Sequence, residues 1–172
     1  DASAGGYMAA ATNPYIYFSL AGKAAVAVTD LAADSSTAWE LAFKRDNIRS
    51  NAGDSGPGNA QVAVLTGVDF ANVTAASATD ADFGHDQFVD PVTCQGALDA
   101  FGKALTRFDA WYDYNELQMT LAPAAKVYLV RAANGTSLYK LQITGYYVDV
   151  PNGQGGTVKK SAVYSLQYQA LQ

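Results

Sequence analysis

Residues 39–58, WELAFKRDNIRSNAGDSGPG, decide the architecture. The first half alternates, with Trp39, Leu41 and Phe43 on one side and Glu40, Ala42 and Lys44 on the other, the period of a strand with one buried face. The second half is turn-forming: Asn51, Gly53, Gly56, Pro57 and Gly58 supply the positive φ angles and the fixed φ of a sharply folded loop. The stretch reads as an aromatic anchor leading into a rigid loop that carries Arg45, Asp46, Arg49 and Asp54. Such charges either satisfy one another or clamp a ligand. Gly53-Asp54-Ser55-Gly56-Pro57 also looks like the nucleophile turn of chymotrypsin-like proteases. That chemistry needs a base, and the single histidine, His85, follows this serine where those enzymes place histidine and aspartate before it.

Upstream, YIYFSL (15–20), Ala21-Gly22-Lys23 and AAVAVTD (24–30) read as a hairpin, so that three strands adjoin in sequence order. Downstream, residues 61–65 continue the sheet and residues 66–87 form a long polar connection carrying His85. Leu98, Phe101, Leu105 and Phe108 are spaced three, four and three apart, which predicts one amphipathic helix with Gly102 as its weak point. The remainder is β. KVYLVR (126–131) and LYKLQITGYY (138–147) flank Asn134-Gly135, and a last hairpin turns at 152–156 into Ala162, Tyr164, Leu166 and Tyr168. Tyr139, Leu141 and Ile143 share one face, and Lys140, Gln142 and Thr144 the other. The expectation is a mostly β, single compact domain over 15–172, of antiparallel sheets and hairpins with one wet side, preceded by a flexible segment over 1–14.

Composition narrows the function. With 172 residues, 49% hydrophobic and 12% aromatic, the chain can bury a sizeable core unaided. Eleven Lys plus Arg against 16 Asp plus Glu leave no basic face for nucleic acid. One cysteine, Cys94, excludes an internal disulfide, and with one histidine there is no zinc ligand set. The carboxylates Asp80, Asp82 and Asp86 lack a calcium-loop pattern. No segment has the roughly 18 apolar residues that would span a bilayer. Few lysines and many Ala, Gly, Thr and Asn lean toward an exported bacterial protein. No base–nucleophile pair, carboxylate dyad or phosphate-cradling loop marks an enzyme.

Two stretches invite a ligand. WYDYNELQMTLAP (111–123) offers Trp111, Tyr112 and Tyr114 as stacking surface and Met119 as a soft thioether, or else plugs the core. His85 sits between Gly84 and Asp86 in the polar connection, as a solvated loop residue or a ligand.

Taken together, residues 39–58, residues 111–147 and the closing YSLQYQ (164–169) resemble the HmuY family of haem-binding proteins from Gram-negative bacteria, and YIYFSLAGK fits as well. Residues 1–14 and 66–90 lie outside the resemblance. It implies a non-catalytic, haemophore-like protein, extracellular or on the outer-membrane surface, that binds haem b non-covalently. The partners it implies are an outer-membrane haem receptor or a host haem protein. In the family two histidines from separate loops hold the iron, and in some relatives methionine substitutes. The second position, about four residues before the proline preceding KVYLVR, is Met119 here; His85 is the only imidazole left for the first. The implied axial pair is His85 and Met119, with Met8, a tyrosine or no axial ligand as the alternative to His85. Trp111, Tyr112 and Tyr114 are candidate pocket walls. Arg45 and Arg49 are candidate propionate contacts, or partners of Asp46 or Asp54 in structural ion pairs. The competing reading is a surface module of the same fold that binds a glycan, a protein or its own copies.

Overall fold

Two four-stranded antiparallel sheets face each other. The computed structural model describes residues 1–172 except Tyr7, Ala100 and Phe101. The first sheet is built from β1 (Ile16–Ser19), β2 (Ala24–Val26), β3 (Leu41–Lys44) and β4 (Asn47–Ser50), in the order β2-β1-β3-β4. The second takes β5 (Gln61–Thr66), skips the small hairpin of β6 (Tyr112–Asn115) and β7 (Thr120–Pro123), and adds β8 (Lys126–Arg131), β9 (Leu138–Pro151) and β10 (Thr157–Leu171), in the order β10-β9-β8-β5. The hairpins expected at Ala21-Gly22-Lys23, Asn134-Gly135 and 152–156 all form. β5 does not continue the first sheet: it crosses to pair with β8, Val62 opposite Val130 and Ala63 opposite Leu129.

The core fills the space between the sheets. Leu41, Phe43 and Ile48 of the first meet Val62, Tyr128, Val130, Leu141 and Ile143 of the second. Each such aliphatic side chain, fully buried, contributes about 1.5–3 kcal/mol over leaving it in water. Trp39 does not join them, contrary to its parity with Leu41 and Phe43. It precedes β3 and turns to the opposite face, where it packs with Tyr17, Ala33 and Ala42 beneath the short helix α1 (Asp30–Ala33).

Neither outer face is simply wet. Behind the second sheet, Ala63, Val127 and Leu129 are covered by Phe70, Val73, Ala78 and Phe83 of the polar connection, which is folded into three single-turn 3₁₀ helices. Lys140, expected on a solvated face, is buried there, and its ammonium donates to the carbonyls of Phe70 (2.9 Å) and Val73 (3.1 Å).

The helix expected over 98–108 is not present among the described residues, and Phe101 lies outside them. Leu98 bridges Ala104, the Asp99 and Lys103 backbones bond (2.8 Å), and Gly102 has φ +77°. The Asp99 carboxylate also accepts from the Lys103 N–H (2.8 Å). A glycine in the left-handed region and an Asp bonding its local backbone both favour a turn over a helix. The 3-4-3 spacing instead leaves Leu98 exposed and Phe108 in the core.

The opening segment is tied in at Ala2, whose N–H donates to the Ala162 carbonyl (2.7 Å) and whose carbonyl accepts from Arg45 N–H (2.7 Å). Ala162 (φ +61°) sits at a register shift in β10, beyond which Tyr164 reaches back to donate to the Arg45 carbonyl (2.6 Å). Among the described residues no helix is long and apolar enough to cross a membrane.

Candidate functional site

The turn-forming half of the opening stretch is a clamp. Arg45 and Asp46 form the tight turn between β3 and β4, so the Gly-rich loop begins only at Asn51. Buried Asn51 organises it, donating to the Ser36 (2.9 Å) and Trp39 (2.8 Å) carbonyls and accepting from Gly58 N–H (3.0 Å). Gly53 (φ +61°) has no room for a side chain, since a Cβ there would sit 2.0 Å from the Asp86 carbonyl oxygen and 2.6 Å from His85 Cδ2. The loop thus lies directly against the segment that carries His85. Asp54 N–H donates to the Asp86 carbonyl (2.9 Å), and the Asp54 carboxylate accepts from Phe88 (2.6 Å) and Val89 (2.7 Å) N–H. From the other side, the fully buried Asp86 carboxylate accepts from Ser50 (2.8 Å) and Arg107 (2.7 Å) N–H. Burial raises the Asp86 pKa, and these bonds only partly oppose it. Just before these anchored residues the His85 imidazole is exposed, lining an open cleft of about 520 Å³ with Gln61, Phe83, Gln87 and Leu105. No hydrogen bond joins His85 to Ser55 among the described residues, and Ser55 is buried.

The second feature is the β6–β7 hairpin. Its strands pair from Tyr112 opposite Pro123 to Asn115 opposite Thr120, and the loop between them ends in Met119. Met119 has φ +51° and is 77% exposed; Leu117 and Tyr114 beside it are exposed too. Gly or Asn is the ordinary occupant of such a left-handed loop position. The hairpin base is fixed by a polar knot: Lys103 Nζ donates to Asp46 (3.0 Å) and to Tyr112 Oη (3.1 Å), and Trp111 Nε1 donates to the Asp46 carbonyl (2.8 Å). Burial lowers the Lys103 pKa, but the Asp46 carboxylate and the Tyr112 hydroxyl outweigh it and hold the ammonium above its ordinary range. Leu121 N–H donates to Tyr147 Oη (3.0 Å), which fixes β7 against β9.

The residues singled out in the sequence fall into separate places. Trp111 is buried and stacks in the core against Tyr112, Tyr146 and Tyr164; Tyr112 is half-buried, and Tyr114 points outward. His85 and Met119 stand on different loops, both open to solvent, and no described contact or shared cavity joins them. Met8 is exposed as well. Arg49 stacks on Tyr15 (4.6 Å) and Phe88 (5.4 Å). Asp46 pairs with Lys103, and Asp54 is used by backbone N–H groups. Asp80 pairs with Arg131, Asp82 caps a 3₁₀ turn, and no three or more His, Cys, Asp or Glu among the described residues are grouped to hold a metal. The anchoring of the segment around His85 by Asp54 and Asp86 was not legible, because the contact between 53–54 and 85–89 is a long-range one; the signal present was the forced glycine at Gly53.

No curated protein matches this chain. The family profile described as HmuY protein matches residues 11–161, which take in the first sheet, the clamp, the β6–β7 hairpin and the second sheet as far as the start of β10. This chain belongs to the HmuY family.

Proposed function

We propose that the protein binds haem b non-covalently outside the cell, without turnover, and that His85 and Met119 are the iron's axial ligands. Family membership supports haem as the ligand class. The observation that carries the site is Met119: a methionine in left-handed backbone, with its thioether in solvent, where glycine would be unstrained. Residues kept in such conformations concentrate at ligand sites. His85 supplies the one imidazole of the chain, exposed between Gly84, bonded through its backbone to Val62, and residues 86–89, held by the Asp86 and Asp54 carboxylates. Neither side chain makes a hydrogen bond among the described residues, and Tyr114 and Leu117 are exposed on the same hairpin as Met119. When bound between an imidazole and a thioether, haem iron is low-spin at a reduction potential above that of a bis-imidazole pair. The residues' own part is to present two neutral ligands from two braced loops. Export and hand-over to an outer-membrane receptor belong to this proposal.

A difference-absorbance titration with haem in both oxidation states tests it. The expected result is a saturable, sharpened Soret band with low-spin features, altered in both His85→Ala and Met119→Ala. A linear, unsaturable response of the unmutated protein would overturn haem binding; a saturable band indifferent to both substitutions would overturn the ligand pair.

A further inference from the structure

The pair Asn-Gly occurs twice, at Asn134-Gly135 and Asn152-Gly153, each time exposed in the turn of a hairpin. The two turns bond their asparagine oxygens alike. Asn134 Oδ1 accepts from Thr136 (2.9 Å) and Ser137 (3.0 Å) N–H, and Asn152 Oδ1 accepts from Gln154 (2.9 Å) and Gly156 (3.0 Å) N–H. Two fixed donors polarise the side-chain carbonyl and stabilise negative charge that develops on its oxygen. The difference lies in the nucleophile and the leaving group. In the first turn Gly135 N–H donates to the Ala132 carbonyl (2.8 Å), and Asn134 Nδ2 donates to Ser137 Oγ (3.0 Å). In the second, neither Gly153 N–H nor Asn152 Nδ2 makes a hydrogen bond among the described residues. The first turn is also packed: a Cβ on Gly135 would touch Asn59 (3.4 Å), whereas one on Gly153 or Gly155 would meet nothing within 4 Å.

We propose that Asn152 is a site of spontaneous covalent modification, deamidation through a succinimide, and that the fold protects Asn134 from the same reaction. The Gly153 amide gives its proton to solvent hydroxide, and its nitrogen bonds to Asn152 Cγ. The Cγ–Nδ2 bond breaks, and ammonia leaves after taking a proton from water. The five-membered imide then takes up one water and opens at either carbonyl, to aspartate or to isoaspartate. Nothing is oxidised or reduced. Glycine as the following residue puts no side chain in the path of the attack. At Asn134 the same step must first break the Gly135–Ala132 bond, which holds the attacking nitrogen, and then the Ser137 bond to the departing amide. The product adds one negative charge to a chain of net charge −5. Its extra backbone carbon, in the isoaspartate form, falls in the turn beyond the last β9–β10 pair, Pro151 opposite Thr157, so the sheet register is kept.

The test is peptide mapping by mass spectrometry after timed incubation of the full chain in mildly alkaline buffer, once folded and once in denaturant. In the folded protein Asn152 is expected to convert at least about tenfold faster than Asn134, the effect of about one hydrogen bond on a barrier. In denaturant the two sites, sharing the Asn-Gly pair, are expected to convert at comparable rates. Isoaspartate in the residue-152 peptide, labelled by an isoaspartyl methyltransferase, reports the imide route, and Asn152→Gln should abolish that label. Ser137→Ala, which frees Asn134 Nδ2 but not Gly135 N–H, should leave Asn134 the slower site. Conversion of folded Asn134 as fast as Asn152, the same disparity between the sites in denaturant as in the fold, or aspartate at 152 with no isoaspartate would overturn the proposal. The reaction needs no haem, so its outcome is independent of the haem reading.

Discussion

Replacing Met119 by glycine should stabilise the fold while removing a ligand. The side chain is 77% exposed, so its loss forfeits little packing. The backbone sits at φ +51° in a loop closed by the Asn115–Thr120 pair and by Gln118 N–H donating to the Asn115 side chain (3.0 Å). A non-glycine residue in left-handed backbone costs about 1–2 kcal/mol. Glycine recovers that but brings a more flexible unfolded chain, worth about 0.4–1 kcal/mol in the other direction. The net is about 1 kcal/mol in favour of Met119→Gly. At roughly 2.1 cal/mol/K of unfolding entropy per residue, 172 residues give about 0.36 kcal/mol/K, and the melting temperature rises by about 3 °C. Thermal melts of the haem-free protein followed by circular dichroism check this beside Met119→Ala, which keeps the strained backbone and should shift little. A Met119→Gly melt below that of the unmutated protein, or an equal gain in Met119→Ala, would refute the strain argument and with it the main support for Met119 as a functional residue.

Three further outcomes follow from the geometry. Asp86→Ala leaves the Ser50 and Arg107 N–H groups buried without acceptors, a loss of about 3 kcal/mol, or roughly 8 °C on the same scale, read by the same melts. Lys140→Met strips two carbonyls of their donor, so amide hydrogen exchange over residues 70–78 should accelerate while that of β8 does not; equal acceleration in both would mean the lysine supports the sheet globally. Burial raises the pKa values of Tyr15, Tyr17, Tyr128, Tyr146 and Tyr164 above the ordinary phenol value. A raised folded-state value stabilises below the unfolded pKa and is lost as pH climbs through the folded one. Stability should therefore fall from about pH 10 upward, and ultraviolet titration should show these phenols ionising only as the chain unfolds. Ionisation of all 11 tyrosines near the ordinary value, with the fold intact, would contradict the packing.

The strands and their turns were legible because alternation and Asn-Gly, Gly-rich and Ala-Gly-Lys turns are local signals. Three features were not. Trp39 shares the parity of Leu41 and Phe43 but precedes the strand, so period alone sent it to the wrong face. The 98–108 spacing mimics a helix, yet Gly102 and the Asp99 side chain close a turn there, and tertiary contact takes only Phe108 into the core. Lys140 looked solvated since nothing local announces that residues 70–73 fold over it. At the site, the resemblance to the HmuY family, rather than residue type or spacing, paired His85 with Met119. What holds them depends on contacts remote in sequence: Gly53 and Asp54 against residues 85–89, and Asp46 against Lys103 and Tyr112.

The central claim is that a thioether from the β6–β7 hairpin and the lone imidazole bind haem iron. The most direct measurement is the near-infrared absorbance of the ferric haem complex, where a thioether–iron charge-transfer band reports methionine ligation. The band is expected in the unmutated protein and in Met8→Ala, and absent in Met119→Ala. Its absence from the unmutated complex, or its persistence in Met119→Ala, would contradict the account.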